Sequence, residues 1–337
     1  MKRGYDVLAM GRSSIDLYAN EIGAPFTEVK TFSAFVGGSP TNIVVGARRL
    51  GLRAALLTAV GEDLVGDFVL DFLAREGVES AFSPRKPGRR TSAFLLAIQP
   101  PDHFPIVPYR DNCADLELAA EDVLAAPVAE SRALLVTGSG LSRDPSRAAT
   151  RFAAARAREH GNKVILDLDV RAELWPDPRA YSEQVRSLLP LVDIVLGTVE
   201  EVEAALGTPS GGGAWGRDAS GATGAPADFS GDRAEGLLAA GPEALVVKRG
   251  ARSTLVFTRG GETAEAATFP VDVLNVLGAG DAFAAGFLYG HLKGWDWRRA
   301  ARMGNACGAL VVTRHGCANF MPGEREALAF IEQRGGF

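Results

Sequence analysis

The stretch Asn275-Val276-Leu277-Gly278-Ala279-Gly280-Asp281-Ala282-Phe283 puts two glycines and an aspartate at the start of an apolar run that reads as a helix. Gly278 and Gly280 let backbone approach an anion closely, and the N–H groups of Ala279, Gly280 and Asp281 are expected to face it along the helix dipole. A carboxylate at such a turn repels an anion. Its presence makes chemical sense if Asp281 takes the proton of a hydroxyl attacking a phosphoryl group, while the amides neutralise the growing charge. The plainer alternative is a glycine turn capped by its own aspartate. No Walker A sequence occurs in the chain, so this turn is the candidate phosphate site.

Working outward, apolar strand candidates alternate with amphipathic helix candidates. Strands are expected near Asp6–Met10, Ala54–Ala59, Ala133–Thr137, Lys163–Asp167, Asp193–Leu196, Ala244–Val247 and Ser253–Phe257. Helices are expected near Gly66–Glu76, Pro145–His160, Tyr181–Leu189, Glu200–Leu206 and Arg233–Ala239. This order implies an α/β fold with a doubly wound, mostly parallel sheet flanked by helices. Two segments, about 12–35 and 90–112, hold short alternating stretches such as Thr91–Ile98 and leave no room for crossover helices. Gly207 to Asp232 is rich in Gly, Ala and Ser and reads as a low-complexity surface insertion. Within it, Gly211-Gly212-Gly213-Ala214-Trp215-Gly216 matches the dinucleotide fingerprint by letter but lacks the strand before and the helix after.

Composition bounds the function classes. With 337 residues, 47% of them hydrophobic, the chain can bury a large core. A net charge of −5 offers no basic footprint for nucleic acid. No apolar run approaches a membrane span, and Val7–Met10 is too brief for a signal peptide, which points to a cytoplasmic protein. The three cysteines, Cys113, Cys307 and Cys317, are odd in number and lack metal-ligand spacing; they read as reduced thiols.

A second segment, Gly37-Gly38-Ser39-Pro40-Thr41-Asn42, precedes a short helix that runs to Gly51. Paired glycines followed by Asn42 suit a backbone wrapped around a polyhydroxylated substrate. Together with Asp16 in Gly11-Arg12-Ser13-Ser14-Ile15-Asp16, these segments resemble the two signature motifs of the PfkB carbohydrate kinases, the ribokinase-like sugar kinases. The resemblance runs from about residue 5 to about residue 333 as a single kinase domain.

That resemblance implies ATP and Mg²⁺ as cofactors, with Asp281 as base and Gly278, Ala279 and Gly280 in the anion hole. It makes the 12–35 and 90–112 segments a small β-sheet lid that covers the sugar and forms a homodimer contact. Asp16, Gly37, Gly38 and Asn42 become substrate contacts. Lys248 and Gly250 match the family segment beside the nucleotide's phosphates and ribose, and Asn305 matches a position near adenine; a surface turn and an exposed polar helix residue are the plainer alternatives. Glu200 takes the acidic place of the family's Asn-x-x-Glu element, supporting Mg²⁺ through water, with Gly197 where the Asn stands. Asn275 replaces an aspartate that in many members helps hold K⁺, leaving backbone carbonyls alone to bind one.

Two arginines bear on the substrate. Arg110, in Tyr109-Arg110-Asp111-Asn112-Cys113-Ala114-Asp115, and Arg171, in Asp167-Leu168-Asp169-Val170-Arg171, offer planar forks suited to a carboxylate, unless each pairs with a neighbouring Asp. Keto-sugar-acid kinases of the family carry arginines at these positions, so the resemblance adds Tyr109, Arg110 and Arg171 as contacts for a small keto-sugar acid. The rival reading of another class is a non-catalytic sugar-acid or nucleotide-binding regulator on the same fold, for which an intact Asp281 has no purpose.

Overall fold

The computed structural model describes residues 4–100, 103–207 and 229–337. The first half of the chain forms β1 (Tyr5–Met10), β2 (Ser14–Ala19), β3 (Phe32–Gly37), α1 (Ser39–Arg49), β4 (Ala54–Leu57), β5 (Val60–Gly61), α2 (Leu64–Arg75), β6 (Arg85–Lys86), β7 (Ser92–Leu96), β8 (Ile106–Tyr109) and α3 (Ala120–Ala125). There follow β9 (Ser131–Thr137), α4 (Ser146–Glu159), β10 (Lys163–Asp167), α5 (Pro178–Leu188), β11 (Ile194–Thr198) and α6 (Val199–Leu206). The last part holds α7 (Gly231–Leu238), β12 (Ala244–Lys248), β13 (Ser253–Thr258), β14 (Thr263–Ala267), α8 (Ala279–Leu292), α9 (Trp297–Val311) and α10 (Glu324–Glu332).

The main sheet runs β14-β13-β12-β11-β10-β9-β1-β4, parallel from β12 to β4 and antiparallel at β13 and β14. Both faces are covered, and the strands alternate accordingly. In β1, Val7 and Ala9 face a core shared with α1, α2, α8, α9 and α10, whereas Leu8 and Met10 face the core beneath α3 to α7. The expected doubly wound sheet is the one observed. A strand absent from the expectation, β14, extends the edge through a hairpin with β13.

The lid is a separate sheet in the order β3-β2-β7-β8, built from the two segments that had no room for helices. Asp16, Phe94 and Pro108 lie in register on one face, and Ile15, Leu17, Ala93, Leu95, Val107 and Tyr109 occupy the other. The first face closes over the C-terminal ends of the main-sheet strands, and Tyr18, Phe94 and Leu96 pack there with Cys317, Val276 and Leu277. The low-complexity segment and its fingerprint look-alike fall almost wholly on 208–228, outside the described residues.

Candidate active site

Gly278 caps α8 with φ of +83°, a backbone conformation that β-carbons disfavour, and a Cβ there would also lie 2.8 Å from Cys317 Sγ. The turn therefore demands glycine twice over. Ala282 N–H makes the first helical bond, to Gly278 O at 2.9 Å, so the N–H groups of Gly280 and Asp281 lie ahead of it, where no helical carbonyl reaches them. Ala279 corrects the expected triad of amides: its N–H is spent on Val276 O at 3.2 Å. Lys248 Nζ stands 3.2 Å from where a Cβ on Gly280 would project, bringing a cation to the same turn.

A cavity of about 290 Å³ opens between lid and sheet, with Asp281, Asn42, Gly38, Asp16, Arg12 and Arg171 in its wall. Asn42 Nδ2 donates to Asp281 Oδ2 at 2.7 Å, tying the two distant sequence motifs together. Burial, with the Asp169 charge, pushes the Asp281 carboxyl up to about 6 against the pull of Asn42, Ser39 and Arg171. A carboxylate with that affinity for a proton suits a general base near neutral pH. Gly37 lets the backbone pass the Asp16 carboxylate, on which any β-carbon would fall. Ser14 Oγ donates to Asp16 Oδ1 at 2.7 Å, and burial raises the Asp16 pKa above its ordinary value.

On the other side of Asp281, Lys248 lies between Asp167 at 3.5 Å and Glu201 at 3.9 Å. Burial alone would lower the Lys248 pKa, but Asp167, Glu201 and Asp281 outweigh it and raise it, so the ammonium stays charged. Glu201, rather than Glu200, is the acid of this cluster. Thr198 and Glu201 form a capping box: Glu201 Oε2 accepts from Thr198 N–H at 2.7 Å, which aims the side chain back over the helix start. Glu200 is exposed on the first turn of α6.

Three further expectations need correction. Arg110 donates through Nε and Nη2 to Asp115 Oδ2 at 3.0 and 2.5 Å, both side chains are buried, and the guanidinium does not line the cavity. Tyr109, adjacent to inward-facing Pro108, points from the outer lid face and is 59% exposed. Asn305 is buried, not exposed; its amide accepts from Thr254 and donates to Ala266 O and Ala267 O, binding α9 to β13 and β14. Arg171 does line the cavity, 3.0 Å from Asp169. Gly250 sits in the exposed turn after β12. Sequence reasoning missed Arg12, whose signal was a cation directly after a core strand, and Glu201, whose signal was the Thr-x-x-Glu capping pattern.

The cavity joins both motif segments around a buried carboxylate at a helix N-terminus, the arrangement expected of a ribokinase-like phosphotransferase, and comparison agrees on the class. The pfkB family carbohydrate kinase model matches residues 5–323, and the chain belongs to that family. More particularly, it is 32% identical to the 5-dehydro-2-deoxygluconokinase of Shouchella clausii over 98% of this chain and 96% of the relative. Its fold matches the fructokinase with bound ATP from Xylella fastidiosa with a TM-score of 0.83 at 25% identity, covering 98% of each chain. The Escherichia coli ribokinase II in complex with ATP and Mg²⁺ gives a TM-score of 0.83 at 23% identity, with 98% of this chain and 99% of that one covered. The chain is thus a sugar kinase, and its family implies ATP use.

Proposed function

We propose that this chain transfers the γ-phosphoryl group of ATP to the 6-hydroxyl of 5-dehydro-2-deoxy-D-gluconate, a step of myo-inositol catabolism in the cytoplasm. The observation that carries the reading is the Asp281 carboxylate, held by Asn42 in the cavity wall at the open N-terminus of α8. Asp281 accepts the proton of the 6-hydroxyl as its oxygen attacks the γ-phosphorus, and the bond to ADP breaks in line. The amides of Gly280 and Asp281, with Lys248, stabilise the charge on the transferring group. Asp16, Gly38 and Asn42 hold substrate hydroxyls, and Arg171 faces the acid end. Relatives carrying this substrate's name at 32% identity support the choice.

Mg²⁺, when bound, would supply charge neutralisation to the phosphates. Among the described residues no three His, Cys, Asp or Glu side chains gather to cage a metal, which suits an ion held mainly by phosphate oxygens and water. Buried Asp167, whose Oδ2 has no hydrogen bond but faces Lys248 Nζ at 3.5 Å, and Glu201 are the residues that would hold its water shell. Potassium fits poorly. Asn275 Oδ1 accepts from Leu277 N–H and its buried Nδ2 is a donor without a partner, the wrong polarity for a cation.

The test is ATP consumption across a panel of keto-sugar acids and neutral ketoses. The highest kcat/KM is expected with 5-dehydro-2-deoxy-D-gluconate; a preference for 2-dehydro-3-deoxygluconate, or for fructose or ribose, would move the substrate assignment. We also propose a homodimer through the lid. Its outer face is apolar, with Val107 and Tyr109 36% and 59% exposed. Light scattering should give twice the chain mass, and a mass of one chain would refute the dimer.

A further inference from the structure

We propose that Arg12 is the specificity-determining residue for the substrate's acid group, acting with Arg171 in the place first expected of Arg110. The inference rests on the keto-sugar-acid reading above. Arg12 leaves β1 at its C-terminal end and lines the cavity with only 8% of its surface exposed. Among the described residues it makes no ion pair. One N–H of its fork, on Nη1, donates to Ser14 Oγ at 2.8 Å, and the guanidinium carbon lies 4.1 Å from the centre of the Phe94 ring. Five N–H donors on a buried cation demand more acceptors than one hydroxyl supplies.

The contact with the Phe94 face and the bond to Ser14 restrain the guanidinium, so less ordering is needed to engage the uncommitted N–H groups of its edge. A planar carboxylate is the ligand that such an edge accepts in two parallel bonds. Arg171 lines the same cavity, 3.0 Å from Asp169, so both guanidinium groups stand in one cavity wall. The Arg12–Ser14–Asp16 chain then orders an acid-binding cation beside a hydroxyl-binding carboxylate. Arg110, which commits Nε and Nη2 to Asp115 Oδ2 and keeps a buried, unpartnered Nη1, does not line the cavity.

A neutral sugar leaves the Arg12 edge unpaired, and a site of that kind discriminates against the ligand lacking the group. The experiment measures kcat/KM for the keto-sugar acid and for the same carbon chain with a primary alcohol in place of the carboxylate. Wild type, Arg12→Gln, Arg12→Lys and Arg110→Gln are compared by their acid-to-neutral ratios, with a thermal melt of each. Arg12→Gln is expected to lower the ratio about 10- to 200-fold, the loss of one charge-assisted contact, and Arg12→Lys by less, because charge survives without the fork. Arg12→Lys also keeps the buried charge, so the measurement stands if Arg12→Gln fails to fold. Arg110→Gln should melt lower with an unchanged ratio. An unchanged ratio in both Arg12 variants, or a collapse in Arg110→Gln alone, would overturn the assignment to Arg12. Failure of the keto-acid reading itself appears separately, as a wild-type ratio near one.

Discussion

Asp281→Asn is expected to lower kcat by roughly a hundred- to ten-thousand-fold, the contribution of a positioned general base, while leaving the KM for ATP within a few-fold. The amide keeps the size of the side chain and a donor–acceptor pair for Asn42 but cannot take the proton. The pH profile offers an independent reading. The base works unprotonated, and burial beside Asp169 sets its pKa at about 6, so wild-type activity should fall about tenfold per unit below that value. The mutant's residual activity should lose this limb. Stability moves in the opposite sense: the folded pKa lies above the unfolded value near 3.8, so the buried charge costs stability above about pH 6, and the cost is relieved as pH falls toward 4. Asp281→Asn should therefore melt no lower than wild type at pH 7. Full activity in this variant, or an acid limb unaltered by it, removes Asp281 from the mechanism.

The main sheet was legible because its strands carry their burial in their letters. Val7-Leu8-Ala9-Met10 and Leu245-Val246-Val247 are continuous apolar runs, as strands covered on both faces must be. Thr263-Ala264-Glu265-Ala266-Ala267 is an edge strand with only Ala266 buried, and such a composition carries no strand signal. The Gly278–Asp281 turn was legible because its conformation restricts the residue type. The basic residues were not, because a guanidinium's role depends on what fills its fork. Asp115, five residues on, meets Arg110 only after the backbone turns, whereas Asp169 leaves Arg171 in the cavity wall. Glu200 and Glu201 differ by one step around a helix, and Thr198 decides between them by closing its box on the second. Asn305 reads as a polar residue on a helix; only the packed sheet edge supplies its three partners.

Gly280→Val is expected to cost both nucleotide affinity and rate. A Cβ at this position would stand 3.2 Å from Lys248 Nζ, a tight contact with the far end of a flexible side chain, and a valine would add two branched methyl groups there. Those methyls stand between the helix N-terminus and Lys248, where the transferring phosphoryl group is proposed to sit. Two charge-assisted contacts, from the amide end and from the ammonium, would be lengthened or lost at about 1.5 to 3 kcal/mol each, or roughly 10² to 10⁴ in kcat/KM for ATP. Gly280→Ala should fall between, since one methyl leaves room for the ammonium to swing aside. The fold has no reason to suffer, because position 280 lies at the helix start and its added carbon strikes no backbone. Steady-state kinetics with ATP varied, beside a melting curve, separates the two effects. Wild-type kinetics in a folded Gly280→Val protein would mean that the nucleotide's phosphates lie elsewhere and that the α8 turn is no more than a capped helix end.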